Sequence, residues 1–472
     1  MSYRWLVIVL LLFLVVGCLA LGVDFIYYMP QVLLGSAILL VIYKKSIDYG
    51  GSIFHPLPLI SLVFVWSMVF SPVVSSATGF YLSMPPKEID FEEWNLKISF
   101  VYLFCLMLFF MGVFFGLKED RQKTYTRVRS KNFYRAGALL LVLSFFSQVY
   151  IYQKMGGVVG YMTAWTHNKE LFSGLGAFFM LSELFPILMA IVFFVFCKEK
   201  NVQKGLLFLL LFFVIFFVAK IFFGGLRGSR SNTVWGLFWF AGIIHLYYRP
   251  LRWIHFLAGA VFVLVFMAGY SVYKTYGVDA LSEGYSIEDT GRFSNSPTLE
   301  IAQGDFARTG VHAFVLHEYL EGNPGYELKF GQTYMSALFS LVPFIESPFG
   351  EYDKNAAGAE LFYGDVFNPE LTSYYNSRIY GLYGEALMNF GAIVAPLLFL
   401  FFGYFSSKLD NYCRSISSGD IRILLVPFFS NALVLFALSD LSNFFFFFVK
   451  NGVLIILFVF VLSSNGARNG FS

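Results

Sequence analysis

Along this chain, long apolar runs are separated by short polar joints, and one long polar stretch breaks the alternation. A helix that crosses the hydrocarbon core of a bilayer needs about 20 mostly apolar residues. Twelve runs fit that pattern, at 5–22, 25–43, 54–71, 97–117, 136–152, 173–197, 205–223, 232–248, 253–271, 380–406, 421–440 and 444–463. The fifth is short, and the third carries Pro56, Pro58 and Pro72 at its ends. Between the ninth and tenth runs lies Val272–Arg378, which holds 15 of the chain's 30 acidic residues and only six basic ones. The pattern predicts an all-α polytopic membrane protein of about twelve transmembrane helices, with one large extracytoplasmic loop containing short helices.

The joints set the orientation. Basic residues cluster at Lys44 and Lys45, from Lys118 through Lys123, Arg127 and Arg129 to Arg135, at Lys198, Lys200 and Lys204, at Arg249 and Arg252, and at Lys408, Arg414 and Arg422. With twelve helices, every cluster falls on one side, which the positive-inside rule makes cytoplasmic together with both termini. The joints at 72–96, 153–172, 224–231, 272–379 and 441–443 then lie outside. The expected division is 1–271 for helices one to nine, 272–379 for an outer loop capping an active site, and 380–472 for the last three helices and a cytoplasmic end.

Composition narrows the class. The chain is 58% hydrophobic and 13% charged, with a mean hydropathy of +0.67, whereas soluble domains carry about 25% charged residues. The four cysteines form no disulfide framework, and no Cys/His spacing of metal type is present. No cofactor, no metal and no nucleic-acid partner is expected.

The long loop carries its own structural signals. Ser296-Pro297 reads as a helix start, with the helix running through Ala302–Leu320 to a stop at Gly322-Asn323-Pro324-Gly325. A second apolar piece, Thr333–Phe344, is expected to be a short helix on or dipping into the membrane.

Candidate chemistry sits in three places. Gly224-Gly225-Leu226-Arg227-Gly228-Ser229-Arg230-Ser231-Asn232 sets two arginines among glycines directly before an apolar helix. Glycine allows close backbone approach, the helix start favours an anion, and Arg227 and Arg230 offer forked donors for phosphate oxygens. The plainer reading is a turn whose arginines meet lipid headgroups. In the long loop, Asp305, Arg308 and His312 share one face if 302–320 is a single helix; the plainer reading of that face is the solvated side of a lid helix. Arg292 is another basic residue of that loop. Arg378 stands at the mouth of helix ten, followed by Tyr380; Glu385, two turns on, is expected on the same face as Arg378, and Asn389 continues it. Glu385, Glu183, Lys220 and Lys450 lie within apolar runs, where ion pairing among them is the ordinary expectation. The pairs Glu88/Asp90 and Glu351/Asp353 have the acid-x-acid form used by some metal-dependent glycosyltransferases.

On three segments the chain resembles the O-antigen polymerase family, the oligosaccharide repeat unit polymerases. They are Gly225-Leu226-Arg227-Gly228-Ser229-Arg230, Phe330-Gly331-Gln332-Thr333-Tyr334 with Val342-Pro343, and Ser377-Arg378-Ile379-Tyr380-Gly381-Leu382-Tyr383-Gly384-Glu385 with Asn389-Phe390-Gly391. The resemblance implies a metal-independent glycosyltransferase at the outer face of a bacterial inner membrane. Its substrates would be undecaprenyl-diphosphate-linked oligosaccharides, with a flippase and a chain-length regulator in the same membrane. It carries Arg227, Arg230 and Arg378 over as outer-face arginines. Catalysis is expected from Arg227, Arg230, Arg308, His312 and Glu385, and substrate binding from Arg292, Asp305, Arg378, Tyr380 and Asn389. The chain departs from the family in one respect: no arginine has a glycine eleven residues later. Rival readings are an O-antigen ligase and a lipid-linked oligosaccharide flippase or transporter.

Overall fold

The computed structural model describes residues 25–48, 52–80, 89–117, 127–129, 132–167, 172, 174–202, 205–227, 230–276, 299, 301–323, 325–341, 353–364 and 378–465. In chain order the principal helices are α1 (Phe25–Asp48), α2 (Pro56–Thr78), α3 (Phe91–Gly116), α4 (Phe133–Lys154), α5 (Gly157–His167), α6 (Gly176–Glu199), α7 (Leu206–Phe222), α8 (Arg230–Ile243) and α9 (Trp253–Tyr276). They continue with α10 (Thr309–His317), α11 (Gln332–Phe339), α12 (Lys354–Tyr363), α13 (Gly381–Val394), α14 (Leu397–Ser415), α15 (Val426–Leu438) and α16 (Leu441–Val461). One short antiparallel pair joins β1 (Arg127–Arg129) to β2 (Ser463–Asn465), with Val128 opposite Ser464. The fold is all-α in character. Eight described helices are long and apolar enough to cross a membrane, which makes this a multi-pass membrane protein.

Against the expected spans, the first run lies outside the described residues, the seventh is a shorter apolar helix, and the eighth, α8 followed by a π turn at Ile244–Tyr248, is not among the eight. The tenth is not one helix. It breaks between α13 and α14, where Gly391 has φ 77 and Pro396 follows; proline removes an intrahelical hydrogen bond and clashes with the preceding turn.

The chain divides into two compact units, and these do not follow the 1–271, 272–379 and 380–472 division. The first comprises 1–120, 298–414 and 432–446; the second comprises 121–297, 415–431 and 447–472. The described residues of the long loop from 299 onward therefore belong to the same unit as α1–α3, α13 and most of α14.

Within the first unit, α3 and α14 approach at backbone contact. A Cβ on Gly112 would lie 2.0 Å from the Leu400 carbonyl, and one on Gly403 2.2 Å from that of Phe109. Small residues at such a crossing replace the hydrophobic drive that is absent between helices in lipid. Helix α10 is buried from Thr309 to Leu316 except for Gly310 and packs on α3 and α13. It is thus a core element, not a lid with a solvated face. In the second unit, α4 packs on α6, α7 and α8 pack on the latter half of α6, and the Trp239 indole donates to the Leu424 carbonyl at 2.7 Å.

The loop's start and stop signals meet different outcomes. Ser296-Pro297 lies outside the described residues. The stop holds, since the helical turn after α10 ends at Gly322. The single helix through 302–320 does not form. A π turn, Ile301–Asp305, gives way to an irregular stretch, and Arg308 sits at the N-cap of α10 with φ −136. The irregular stretch has a cause in α2. Trp66 donates to the Ala302 carbonyl, Gln303 bonds both the hydroxyl and the carbonyl of Ser71, and Thr309 bonds the same hydroxyl at 2.6 Å. The second apolar piece is helical over Gln332–Phe339, and 342–350 lies outside the described residues.

Candidate functional site

In the first unit, polar side chains far apart in sequence converge on the N-terminal half of α13. Glu385 is buried; Thr333 of α11 donates to its Oε1 at 3.0 Å, and the Leu441 N–H donates to its Oε2 at 2.8 Å. One turn on, Asn389 donates to the Thr333 hydroxyl at 2.7 Å and accepts from the Gly331 N–H at 2.9 Å. The Phe330 N–H reaches the Asn389 carbonyl at 2.9 Å. Spacing of four residues places Glu385 and Asn389 on one helix face, and the turn at Phe330-Gly331 closes over that face. Phe330 and Gly331 both have positive φ, 44 and 88, so the turn is tight where it meets α13.

The start of α13 is fixed just as closely. Asp440, fully buried between α15 and α16, accepts from the Tyr380 N–H at 2.7 Å and pairs with the ammonium of Lys354 from α12. The same ammonium donates to the Arg378 carbonyl at 3.3 Å. Asp440 and Glu385 both meet the start of α16, where the unpaired N–H groups and positive end of a helix favour carboxylates.

His312 and Arg308 complete this frame. His312 Nε2 lies 2.7 Å from the Tyr380 carbonyl, and Nδ1 lies 2.6 Å from the Tyr102 hydroxyl. A carbonyl can only accept, so Nε2 carries the proton and Tyr102 donates to Nδ1. Burial holds the His312 imidazole far below its ordinary range, at about 3, against the hydrogen bond to Tyr380; the Arg308 charge adds to the lowering. Arg308 spends Nε on the Leu438 carbonyl at 3.0 Å and Nη1 on the carbonyls of Ala307 and Gly304. A cation at the last carbonyls of α15 suits the negative end of that helix. These bonds assign both residues to holding the frame, so neither presents a free base or a free guanidinium fork. The expected Asp305/Arg308/His312 stripe is absent as a helix face, because α10 begins only at Thr309. The side chain of Asp305 and all of Arg292 lie outside the described residues.

In the second unit, a short 3-10 turn, Gly225–Arg227, leads to α8, which starts at Arg230. Hydroxyls hold two of its carbonyls and the end of α7: Tyr270 bonds Gly225, Tyr273 bonds Leu226 at 2.6 Å, and Tyr152 bonds Phe222 at 2.5 Å. Gly224 has φ 136, and a Cβ there would fall 2.9 Å from the Glu183 carboxyl carbon. That carboxylate pairs with Lys450 at 2.6 Å and accepts from Asn232 at 2.6 Å, while Lys220 donates to Asn232 at 3.2 Å. The expected ion pairing thus holds for Glu183 and Lys450, with Asn232 as the link to Lys220. Glu385 belongs to the first unit and takes Thr333 and Leu441 instead. The Arg227 side chain and residues 228–229 lie outside the described residues; Arg230 is half-buried.

The acid-x-acid pairs have a structural use. Asp90 caps α3 by accepting from the N–H groups of Glu92 and Glu93, and Asp353 caps α12 by accepting from those of Asn355 and Ala356. Side-chain capping satisfies N–H groups that have no partner within the helix. Their companions, Glu88 and Glu351, lie outside the described residues. Among the described residues, no three His, Cys, Asp or Glu side chains form a metal-ligand group.

Sequence reasoning missed Thr333, Asp440, Lys354 and the three tyrosines as parts of these frames. Asp440 had a signal: an acid directly before the apolar run Leu441–Phe448 is a helix-start signature. Lys354 had none. No family model, no curated protein and no solved structure matches the chain.

Proposed function

We propose that this protein is a membrane glycosyltransferase that polymerises undecaprenyl-diphosphate-linked oligosaccharide repeat units into a surface polysaccharide of O-antigen or capsule type. It would work at the outer face of a bacterial inner membrane, with both termini cytoplasmic. One observation carries the reading: two of the segments on which the resemblance rests interlock, through Thr333, Glu385, Asn389 and Gly331. Segments that merely shared a composition would have no reason to meet.

In the reaction, the bond from the donor sugar's anomeric carbon to its diphosphate breaks, and a bond to an acceptor hydroxyl oxygen forms. The hydroxyl proton leaves, and a lipid diphosphate departs with the electron pair. Negative charge grows on that leaving group, so preformed cationic donors accelerate the step. Arg227, Arg230 and Arg378 are the cationic donors proposed for that diphosphate. Glu385, Asn389 and Tyr380 hold the frame around Arg378. A flippase and a chain-length regulator are the expected neighbours in the membrane.

Deletion followed by surface-glycan analysis tests the reading. The expected result is loss of the long-chain ladder, with single repeat units still attached to the acceptor. Loss of the single unit as well would point to a ligase or a flippase and overturn the proposal.

A further inference from the structure

Just before α13, two residues are gripped at three points of their main chain. The Arg378 carbonyl accepts from Lys354, the Tyr380 N–H donates to Asp440, and the Tyr380 carbonyl accepts from His312. Lys354 and Asp440 are paired with each other, and both are buried. The Tyr380 ring is wedged as well, since a Cβ on Gly358 of α12 would strike its hydroxyl. What the grip leaves over is the side chain of Arg378. It is half-buried, and among the described residues its guanidinium makes no hydrogen bond or ion pair.

A buried ion pair adds little net stability compared with well-packed apolar residues. Its presence beside an uncommitted arginine therefore asks for another reason, and aim is the one the geometry offers. A guanidinium binds phosphate oxygens through two parallel donors, so its usefulness depends on direction. We propose that Lys354 and Asp440 are positioning residues that aim Arg378 at a polyprenyl diphosphate. The inference rests on the function proposed above, which supplies the ligand.

The test uses purified full-length protein in lipid nanodiscs. It measures polymer formation from lipid-linked repeat units and affinity for a short-chain polyprenyl diphosphate, with melting temperatures compared. Lys354→Met together with Asp440→Asn removes both charges, so neither is left buried alone. This double variant should lose about ten- to a hundred-fold in kcat/KM, the range that misplacing a binding group by about 1 Å produces. Arg378→Ala should lose at least as much. Combined, the three substitutions should be no worse than Arg378→Ala alone, because groups acting through one another are non-additive. Lys354→Arg, which keeps the charge, should recover part of the activity.

If the pair costs the same factor with and without Arg378, it is structural only and the inference fails. An unchanged, well-folded double variant also overturns it. Should the double variant not accumulate, Asp440→Glu keeps the charges while lengthening the arm and is judged by the same criterion. Failure of the unmutated protein to bind the polyprenyl diphosphate or to make polymer would instead sink the proposed function, a result visible before any substitution is made.

Discussion

The two arginine-bearing segments are held by different chemistry. Around Arg378 the anchors are an ion pair, deeply buried: Lys354 and Asp440. Around Arg227 the anchors on the main chain are three neutral tyrosine hydroxyls, from Tyr152, Tyr270 and Tyr273. Both devices fix carbonyls, but they differ in how they fail. A neutral hydrogen bond that is lost can be replaced by water or by small shifts of the backbone. A buried ion stripped of its partner has no such substitute.

The largest expected effect breaks the ionic side. Lys354→Met alone leaves Asp440 charged and buried, which typically destabilises by about 3–5 kcal/mol. Thermal unfolding in detergent measures it, and Asp440→Asn in the same protein should restore most of the loss. A loss below 1 kcal/mol would erase the contrast between the two segments.

Next comes the function of the neutral side. Arg227→Ala and Arg230→Ala should each slow polymer formation by about a hundred- to a thousand-fold, the usual consequence of removing one donor from a developing charge. Lysine at either position should rescue only in part, because a point charge cannot reproduce the guanidinium fork. Arg308→Ala, by contrast, should register as lost stability, since its donors are committed to the carbonyls of Leu438 and Ala307. Near-normal polymer from both Arg227→Ala and Arg230→Ala would reduce that segment to a turn.

Acid sharpens the comparison further. Folded His312 stays neutral down to about 3, whereas an unfolded imidazole takes a proton near 6.5. The stability it provides is therefore present above about pH 6.5 and is lost as pH falls from there toward about 3, at about 1.4 kcal/mol per pH unit. Unfolding of His312→Asn measured beside the unmutated protein should show that slope reduced. Equal slopes would mean that His312 is protonated in the fold.

The smallest effects test the tyrosines. Tyr270→Phe and Tyr273→Phe should each destabilise by about 0.5–1.5 kcal/mol, the net worth of an ordinary hydrogen bond. A loss of several kcal/mol from either would show that the neutral anchors are as indispensable as the ionic ones.

How much of this was legible depended on range. The helices declared themselves through runs of apolar residues, because crossing a bilayer demands an unbroken apolar length that no other fold requires. The break in the tenth run could have been seen at Gly391 and Pro396. The stop at Gly322 was read correctly for the same reason, since turn chemistry acts within a few residues. The expected helix through Asp305 and Arg308 failed because its competitor was remote. Ser71 and Trp66, more than 230 positions away, capture Ala302, Gln303 and Thr309 and hold the chain out of helical register.

The site was legible in part. Glu385 and Asn389 were placed on one face by their spacing alone, and that face is real. Their partners were not readable, and neither was the use of His312 and Arg308 as fasteners. By itself, the sequence determined the helical element type, the membrane-crossing character and the stop at Gly322, all of which follow from local periodicity and backbone preference. Only the tertiary structure decided which polar groups meet. Lys354 and Asp440 stand 86 positions apart, and a buried charge records in its own neighbourhood only that it needs a partner, never which one.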